Sequence, residues 1–122
     1  MAKRIFLDAN AFIDILEDRE GVKAKDLVGN ILFISVLTLH IYVYSYKITI
    51  PSDTVSLLKS QFTYVDVTSS ISEKSMTGPT SDFEDNIQLH SAIESKADLF
   101  ITRDKKLLSL GYFGACRIVD SV

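Results

Sequence analysis

Arg4-Ile5-Phe6-Leu7-Asp8-Ala9-Asn10-Ala11-Phe12-Ile13-Asp14 is the stretch that decides the fold of this chain. Residues 4–8 form a short apolar run ending in an acid, the pattern of a strand buried on both faces. From residue 11 to 17 the period changes: Phe12, Ile15 and Leu16 have helical spacing, and Asn10 stands where an N-cap belongs. A buried strand feeding directly into a helix is the opening half of a βα unit, so the remaining chain is read for repetitions of that unit.

Gly21 ends the first helix, and residues 22–28 form another short one. Residues 31–35 read as a second strand. Residues 37–50 admit two readings. The alternation of His40, Tyr42, Tyr44 and Tyr46 suits a strand, whereas Leu37, Ile41, Tyr44 and Ile48 share one helical face. Helix is the choice, because no turn would separate so long a strand from residues 31–35. Pro51-Ser52-Asp53 breaks the chain and caps a helix over residues 54–60, and residues 62–67 are a third strand. Residues 68–80 are rich in Ser and Thr and close on Gly78-Pro79, so they are expected to be exposed and mobile in part. Ser81 with Glu84 is a capping-box pattern for a helix running to about Ser95. A fourth strand at 99–102, a short helix at 105–110 and a fifth strand at 117–120 follow. The alternation predicts an α/β fold with a largely parallel sheet, as one domain spanning residues 1–122.

The bulk numbers exclude several classes. The hydrophobic fraction of 47% and charged fraction of 24% are ordinary for a globular chain able to bury one core. A formal charge of −3 argues against a surface coated in basic residues, while leaving room for a local basic rim. Cys116 is the only cysteine, which excludes an intrachain disulfide and a Cys/His zinc cluster; its apolar neighbours suit a buried inert thiol. No apolar segment approaches the roughly 18 residues of a membrane span, and Asp8 arrives too early for a signal-peptide core. No membrane association and a cytoplasmic location are therefore expected.

Three aspartates stand out by position. Asp8 closes the first strand, Asp104 follows the fourth, and Asp85 lies in the first turn of the helix leading into the fourth. In an open parallel sheet, residues just past the carboxyl ends of the strands share one crevice. Carboxylates gathered there repel one another unless a cation neutralises them, and a hard divalent ion is the natural partner. Asp82, Glu84 and Asp85 would also gain about 0.3–1 kcal/mol each from the helix dipole, whatever their function. Mg²⁺ or Mn²⁺ held by such a cluster can activate water and clamp a phosphoryl oxygen, which suits phosphodiester hydrolysis. No Ser/His or Cys/His constellation competes, the five glycines form no phosphate loop, and His90 reads as a surface or packed residue.

The same residues resemble a known family. Residues 4–14, an apolar strand followed by Asp8-Ala9-Asn10 and a helix, look like the opening of a PIN domain. Asp82-Phe83-Glu84-Asp85-Asn86-Ile87-Gln88 with Ala92 is similar to the family's central Asp-Phe-Glu-Asp-x-x-Gln helix. Ala97-Asp98-Leu99-Phe100-Ile101-Thr102-Arg103-Asp104 matches its late strand and Thr-Arg-Asp/Asn corner. The three motifs keep the family's order and spacing over essentially the whole chain.

PIN domains are metal-dependent ribonucleases, and short prokaryotic ones are commonly VapC-type toxins neutralised by an antitoxin. The resemblance therefore implies Mg²⁺ or Mn²⁺, an RNA substrate, an antitoxin partner, a homodimer, and a doubly wound three-layer sheet of about five strands flanked by helices. By position it makes Asp8, Asp85 and Asp104 the metal-binding and catalytic carboxylates. Asn10 and Thr102 become orienting neighbours, Asp82 a source of outer charge, and Glu84 part of the helix cap.

One departure matters. The family usually carries a glutamate early in the helix after the second strand, in a context like Ser-x-x-Thr-x-x-Glu. Here that segment is Ser35-Val36-Leu37-Thr38-Leu39-His40-Ile41, and no acid occurs from residue 36 to 49. His40 or Ile41 takes the place: either His40 joins the site, or it is merely packed or capped and one carboxylate is lost. The chain then has two main readings, a metal-dependent endoribonuclease or a weakened PIN-fold module that binds RNA or a partner. A phosphatase or receiver using Asp8 as acceptor is a third, weaker for want of a second acid at Asn10. Arg103, Lys105 and Lys106, with Lys47 and Lys59 near the rim, could hold RNA phosphates or be ordinary solvated charges. Tyr42, Tyr44 and Tyr46, with Phe12 and Ile13, could cover an interface or pack in the core.

Overall fold

The computed structural model describes residues 2–122. Six strands build one sheet: β1 Arg4–Leu7, β2 Ile31–Ser35, β3 Thr63–Val65, β4 Leu99–Ile101, β5 Tyr112–Phe113 and β6 Cys116–Val119. The helices are α1 Ala9–Leu16, α2 Val36–Ser45, α3 Asp53–Gln61, α4 Ser69–Ser75, α5 Phe83–Glu94 and α6 Lys105–Leu108, with a 3₁₀ turn at Ala24–Leu27. The sheet order is β3-β2-β1-β4-β6-β5, parallel throughout except for the β5–β6 pair. The sixth strand, β5, is two residues long and folds back on β6, too short to carry a period in the sequence.

Side-chain alternation produces the layers. Ile5, Leu7, Ile34, Leu99 and Ile101 point to one face, where Phe12 of α1, Tyr42 of α2 and Leu58 of α3 cover them. Phe6, Phe33, Phe100 and Ile118 point to the other, under Leu89 and Ala92 of α5 and Leu107 of α6. Strands covered on both faces need apolar residues at every position, which is why β1 and β4 read as continuous runs.

The helix over the disputed tyrosines is real, running from Val36 to Ser45. Its period divides the series: Tyr42 is buried, Tyr46 packs beside it with its ring tilted by 34° and accepts a hydrogen bond from Arg19, and Tyr44 is 83% exposed. The stretch 68–80 departs from expectation, since it contains α4. Thr68 caps that helix by accepting from the Ile71 amide, and Ile71 and Ser75 are buried. Asn86 of α5 then ties the following loop, donating to the carbonyls of Ser75 and Thr80 and accepting from the Thr80 amide. Only one apolar residue of α4 faces inward, so its polar sequence looks like loop.

Two capping assignments are corrected. Asp8, not Asn10, caps α1; Asn10 lies exposed inside the first turn. Asp82, not Ser81 with Glu84, caps α5: its Oδ1 accepts from the Asp85 amide at 2.9 Å, and Glu84 is exposed. In both cases the helix begins one or two residues from the expected place, and a carboxylate fills the role. Gly21 does not end α1, which stops at Leu16.

Candidate functional site

The chain winds from β1 outward through β2 to β3 on one side, and returns to β4 and β6 on the other. The sheet therefore reverses direction of build between β1 and β4, and a crevice opens beyond their carboxyl ends. Leu7 lies opposite Ile101, so Asp8 and Thr102 leave the sheet as neighbours, and the Asp8 amide donates to the Ile101 carbonyl. Asp104 follows two residues later, and α5 brings Asp85 within the electrostatic reach of both acids.

Two of the three carboxylates, Asp8 and Asp104, are held by the backbone of a helix start. Asp8, only 6% exposed, accepts from the Ala11 amide at 2.8 Å through Oδ1. Asp104 accepts from the Lys106 amide at 2.8 Å, also through Oδ1, while its own amide donates to the Thr102 hydroxyl. The second oxygen of each is left uncommitted, and the Asp85 carboxylate accepts no hydrogen bond among the described residues. Burial pushes Asp8 up to about 6 against the opposing pull of the Thr102 hydroxyl and the Ala11 amide, with Asp104 and Asp14 adding repulsion. Burial likewise pushes Asp85 up to about 6, reinforced by Asp82, Asp104, Asp8 and Glu84. The cluster carries more negative charge than its surroundings offset.

These oxygen donors have the chemistry of a hard-cation site. Among the described residues, however, no three acidic, His or Cys side chains are already gathered closely enough to close around one ion. An open cleft of about 290 Å³ adjoins the acids, lined by Thr80, Ser81, Asp82, Asp85, Asp104, Lys106 and Leu107.

Other expected residues fall differently. Thr102 is fully buried between Asp8 and Asp104. Asn10 is exposed and makes no side-chain hydrogen bond among the described residues, and Asp82 serves α5 as cap and Asp85 as a repelling neighbour. His40 is exposed on α2 and makes no side-chain hydrogen bond among the described residues. Thr38 is buried and accepts from Gln88 Nε2 at 3.0 Å. Ile41, three residues on, shares that helical face, whereas His40, two residues on, does not. The position where a fourth acid is expected is thus taken by an apolar side chain. Lys47 and Lys59 lie at the far ends of α2 and α3, toward the amino ends of the strands and away from the acids. Lys105 and Lys106 are exposed, and Lys106 lines the cleft. His90 is packed, with Nε2 3.0 Å from the Gly78 carbonyl oxygen and its ring edge-on to Phe113. Burial drives the Cys116 thiol up to about 11.

Two residues that the motifs contain are given no role from the sequence. Asp14 is 1% exposed and takes a forked pair of hydrogen bonds from Arg103. Gln88 bridges α5 to α2, and its Oε1 is buried without a partner. A polar residue in an apolar helical stripe, such as Asp14 between Ile13 and Ile15, was the available signal.

The raised carboxylates have a consequence for stability. Below the unfolded value near 3.8 both states hold the protons, and burying the two acids costs nothing in charge. As pH climbs from there to about 6 the folded protein binds more protons than the unfolded chain, so stability falls; above about 6 the penalty is complete. Asp85→Asn is accordingly expected to stabilise the metal-free protein by on the order of 1 kcal/mol at pH 7.5, allowing for solvent screening, and by almost nothing at pH 4. Thermal melts of both proteins in chelator at the two pH values measure it; an equal effect at both would contradict the assignment.

No curated protein matches the chain by sequence. Among solved structures, a chain of the VapBC2 complex from Rickettsia felis, bound to a DNA fragment from the promoter, is similar in fold. The TM-score is 0.67 at 13% identity, covering 98% of this chain and 99% of that one. The PIN domain family matches residues 5–111. That span runs from the first strand, past all three aspartates, to the end of the last helix, and the chain belongs to the PIN domain family.

Proposed function

We propose that this protein is a metal-dependent endoribonuclease, the toxin of a toxin–antitoxin pair. The observation that carries this reading is the cluster at the β1/β4 switch point: Asp8 and Asp85 both raised to about 6 and coupled to Asp104, with uncommitted oxygens. Family membership supports hydrolytic nuclease chemistry, and the fold shared with a chain of a VapBC2 complex supports an antitoxin partner.

Asp8, Asp85 and Asp104 would hold Mg²⁺ or Mn²⁺. Bound there, the ion supplies an activated water and charge for a phosphoryl oxygen. The chain's own groups do the rest. Asp8 and Asp104 are locked by the amides of Ala11 and Lys106, so they meet an ion without further ordering. The nearby Thr102 hydroxyl favours the ionised form of the Asp8 carboxyl, the form that would bind an ion. A chain with net charge −3 repels RNA, and the exposed Lys105 and Lys106 beside Asp104 offset that repulsion where the phosphodiester must approach.

Purified protein is expected to cut RNA with Mn²⁺ or Mg²⁺ and to stop in chelator. Unimpaired cutting in chelator would remove the metal from the mechanism. A second reading, a PIN-fold module that binds RNA or a partner without turnover, draws on Ile41 at the fourth acid's position and on the wide spacing of the acids. Tight RNA binding with no cleavage across a full range of Mn²⁺ would select it.

A further inference from the structure

We propose that the Asp14–Arg103 ion pair is a positioning clamp that fixes Asp8 and Asp104 relative to one another; the proposal rests on the functional reading above. Asp14 and Arg103 are 89 residues apart in sequence, yet Arg103 Nε and Nη2 donate to the two Asp14 oxygens at 2.7 and 3.0 Å. The Asp14 side chain is 2% exposed and that of Arg103 is 46% exposed, so the carboxylate is buried and the guanidinium closes over it. A planar fork on a carboxylate fixes direction as well as distance, which a lysine point charge cannot do.

The placement of the pair gives it leverage. Asp8 caps the start of α1, and Asp14 lies six residues along it, about 9 Å at helical rise. The strand end leading into the Thr102-Arg103-Asp104 corner meets α1 at both places: the Ile101 carbonyl accepts from the Asp8 amide at 3.2 Å, and Arg103 donates to Asp14. One attachment would leave a pivot; two fix how the corner lies along the helix. Asp104 directly follows Arg103, so its carboxylate is set by the same two attachments. The loop after α1 is shaped to this pair. Gly21 has φ +115°, and a Cβ there would stand 3.1 Å from Arg103 Cδ and 3.4 Å from Asp14 Oδ2. Asp14 dominates the field on the guanidinium, and Glu20 and Asp8 add to it, so the clamp and the cluster also share charge.

A pair that only stabilised the fold would leave the site of any folded variant intact. Arg103→Met, which keeps the stem and loses the fork, is compared with the parent well below its melting temperature. Without metal, the amides of Ala11 and Lys106, donors to Asp8 and Asp104, are expected to exchange with solvent about tenfold faster, while the Asp85 amide on α5 exchanges as before. Mn²⁺ is expected to bind about tenfold more weakly, and RNA cleavage to lose up to about 100-fold in kcat with little change in KM. Arg103→Lys, a milder change that retains charge, is expected to recover only part of each and serves if Arg103→Met does not fold. Parent-like exchange at Ala11 and Lys106, with parent-like Mn²⁺ affinity, would overturn the clamp. A parent that neither binds Mn²⁺ nor cuts RNA would overturn the functional reading instead, and amide exchange would still decide the clamp.

Discussion

Asp8→Asn is expected to abolish metal-dependent RNA cleavage while making the metal-free protein more stable above pH 6. The two effects have one origin. Asp8 is 6% exposed, and its ionised form is disfavoured by burial and by neighbouring acids, so its carboxyl titrates at about 6. At neutral pH the folded protein must carry that charge, and a cation recovers the cost. Asparagine keeps the oxygen that accepts from the Ala11 amide, and it caps helices as well as aspartate does, so α1 should start normally. It removes the charge that holds the ion, which supplies several kcal/mol of charge stabilisation; at about 1.4 kcal/mol per tenfold this is a loss of about 10³-fold or more. The stability gain should be about 1–3 kcal/mol at pH 7.5 in chelator and vanish near pH 4. Cleavage assays and paired melts read both. Parent-level cleavage would sink the proposed mechanism, and a fall in neutral-pH stability would show that the cap matters more than the charge.

The largest loss of stability is expected from Phe12→Ala. Phe12 is fully buried on α1, with edge-on contacts to Tyr42 at 5.9 Å and Phe62 at 5.3 Å between ring centroids. Its ring joins α1, α2 and the entry to β3 over one face of the sheet. Truncation leaves a cavity with rigid walls, for which about 3–5 kcal/mol is typical. That approaches the whole stability of many domains of this size. At a urea slope of about 1–3 kcal/mol per molar the unfolding midpoint should fall by roughly 2 M. Phe12→Leu, which refills most of the volume, should cost clearly less. A midpoint shift under about 0.5 M for the alanine variant would mean that this core can collapse around the loss.

Much of the architecture was readable because it depends on local periods. Residues 4–8, 31–35 and 99–102 carry unbroken apolar runs, and the chain around Phe12 and Ile15 switches to helical spacing. The helix over residues 36–45 could be chosen only by arguing that a strand there would lack a turn, because its β-branched and aromatic residues favour the wrong structure. The elements missed, α4 and β5, have too little apolar surface or length to leave a period. Asp8, Asp85 and Asp104 could be picked out as acids at strand and helix starts. That they would gather and repel one another could be expected of a parallel sheet, but which acids act on which required the strand order that sets β1 beside β4.

The sequence by itself determined that this chain alternates strands and helices, that its strands are covered on both faces, and that acids stand at the starts of its helices. Those properties are written in side-chain periods over a few residues. Only the tertiary structure decided which groups act on one another across long separations: Arg103 on Asp14, and Gln88 on Thr38. The reason is physical. A buried charge or amide takes whatever partner the packed elements bring within about 3 Å, and that distance is set by strand order and helix rotation, not by neighbours in sequence.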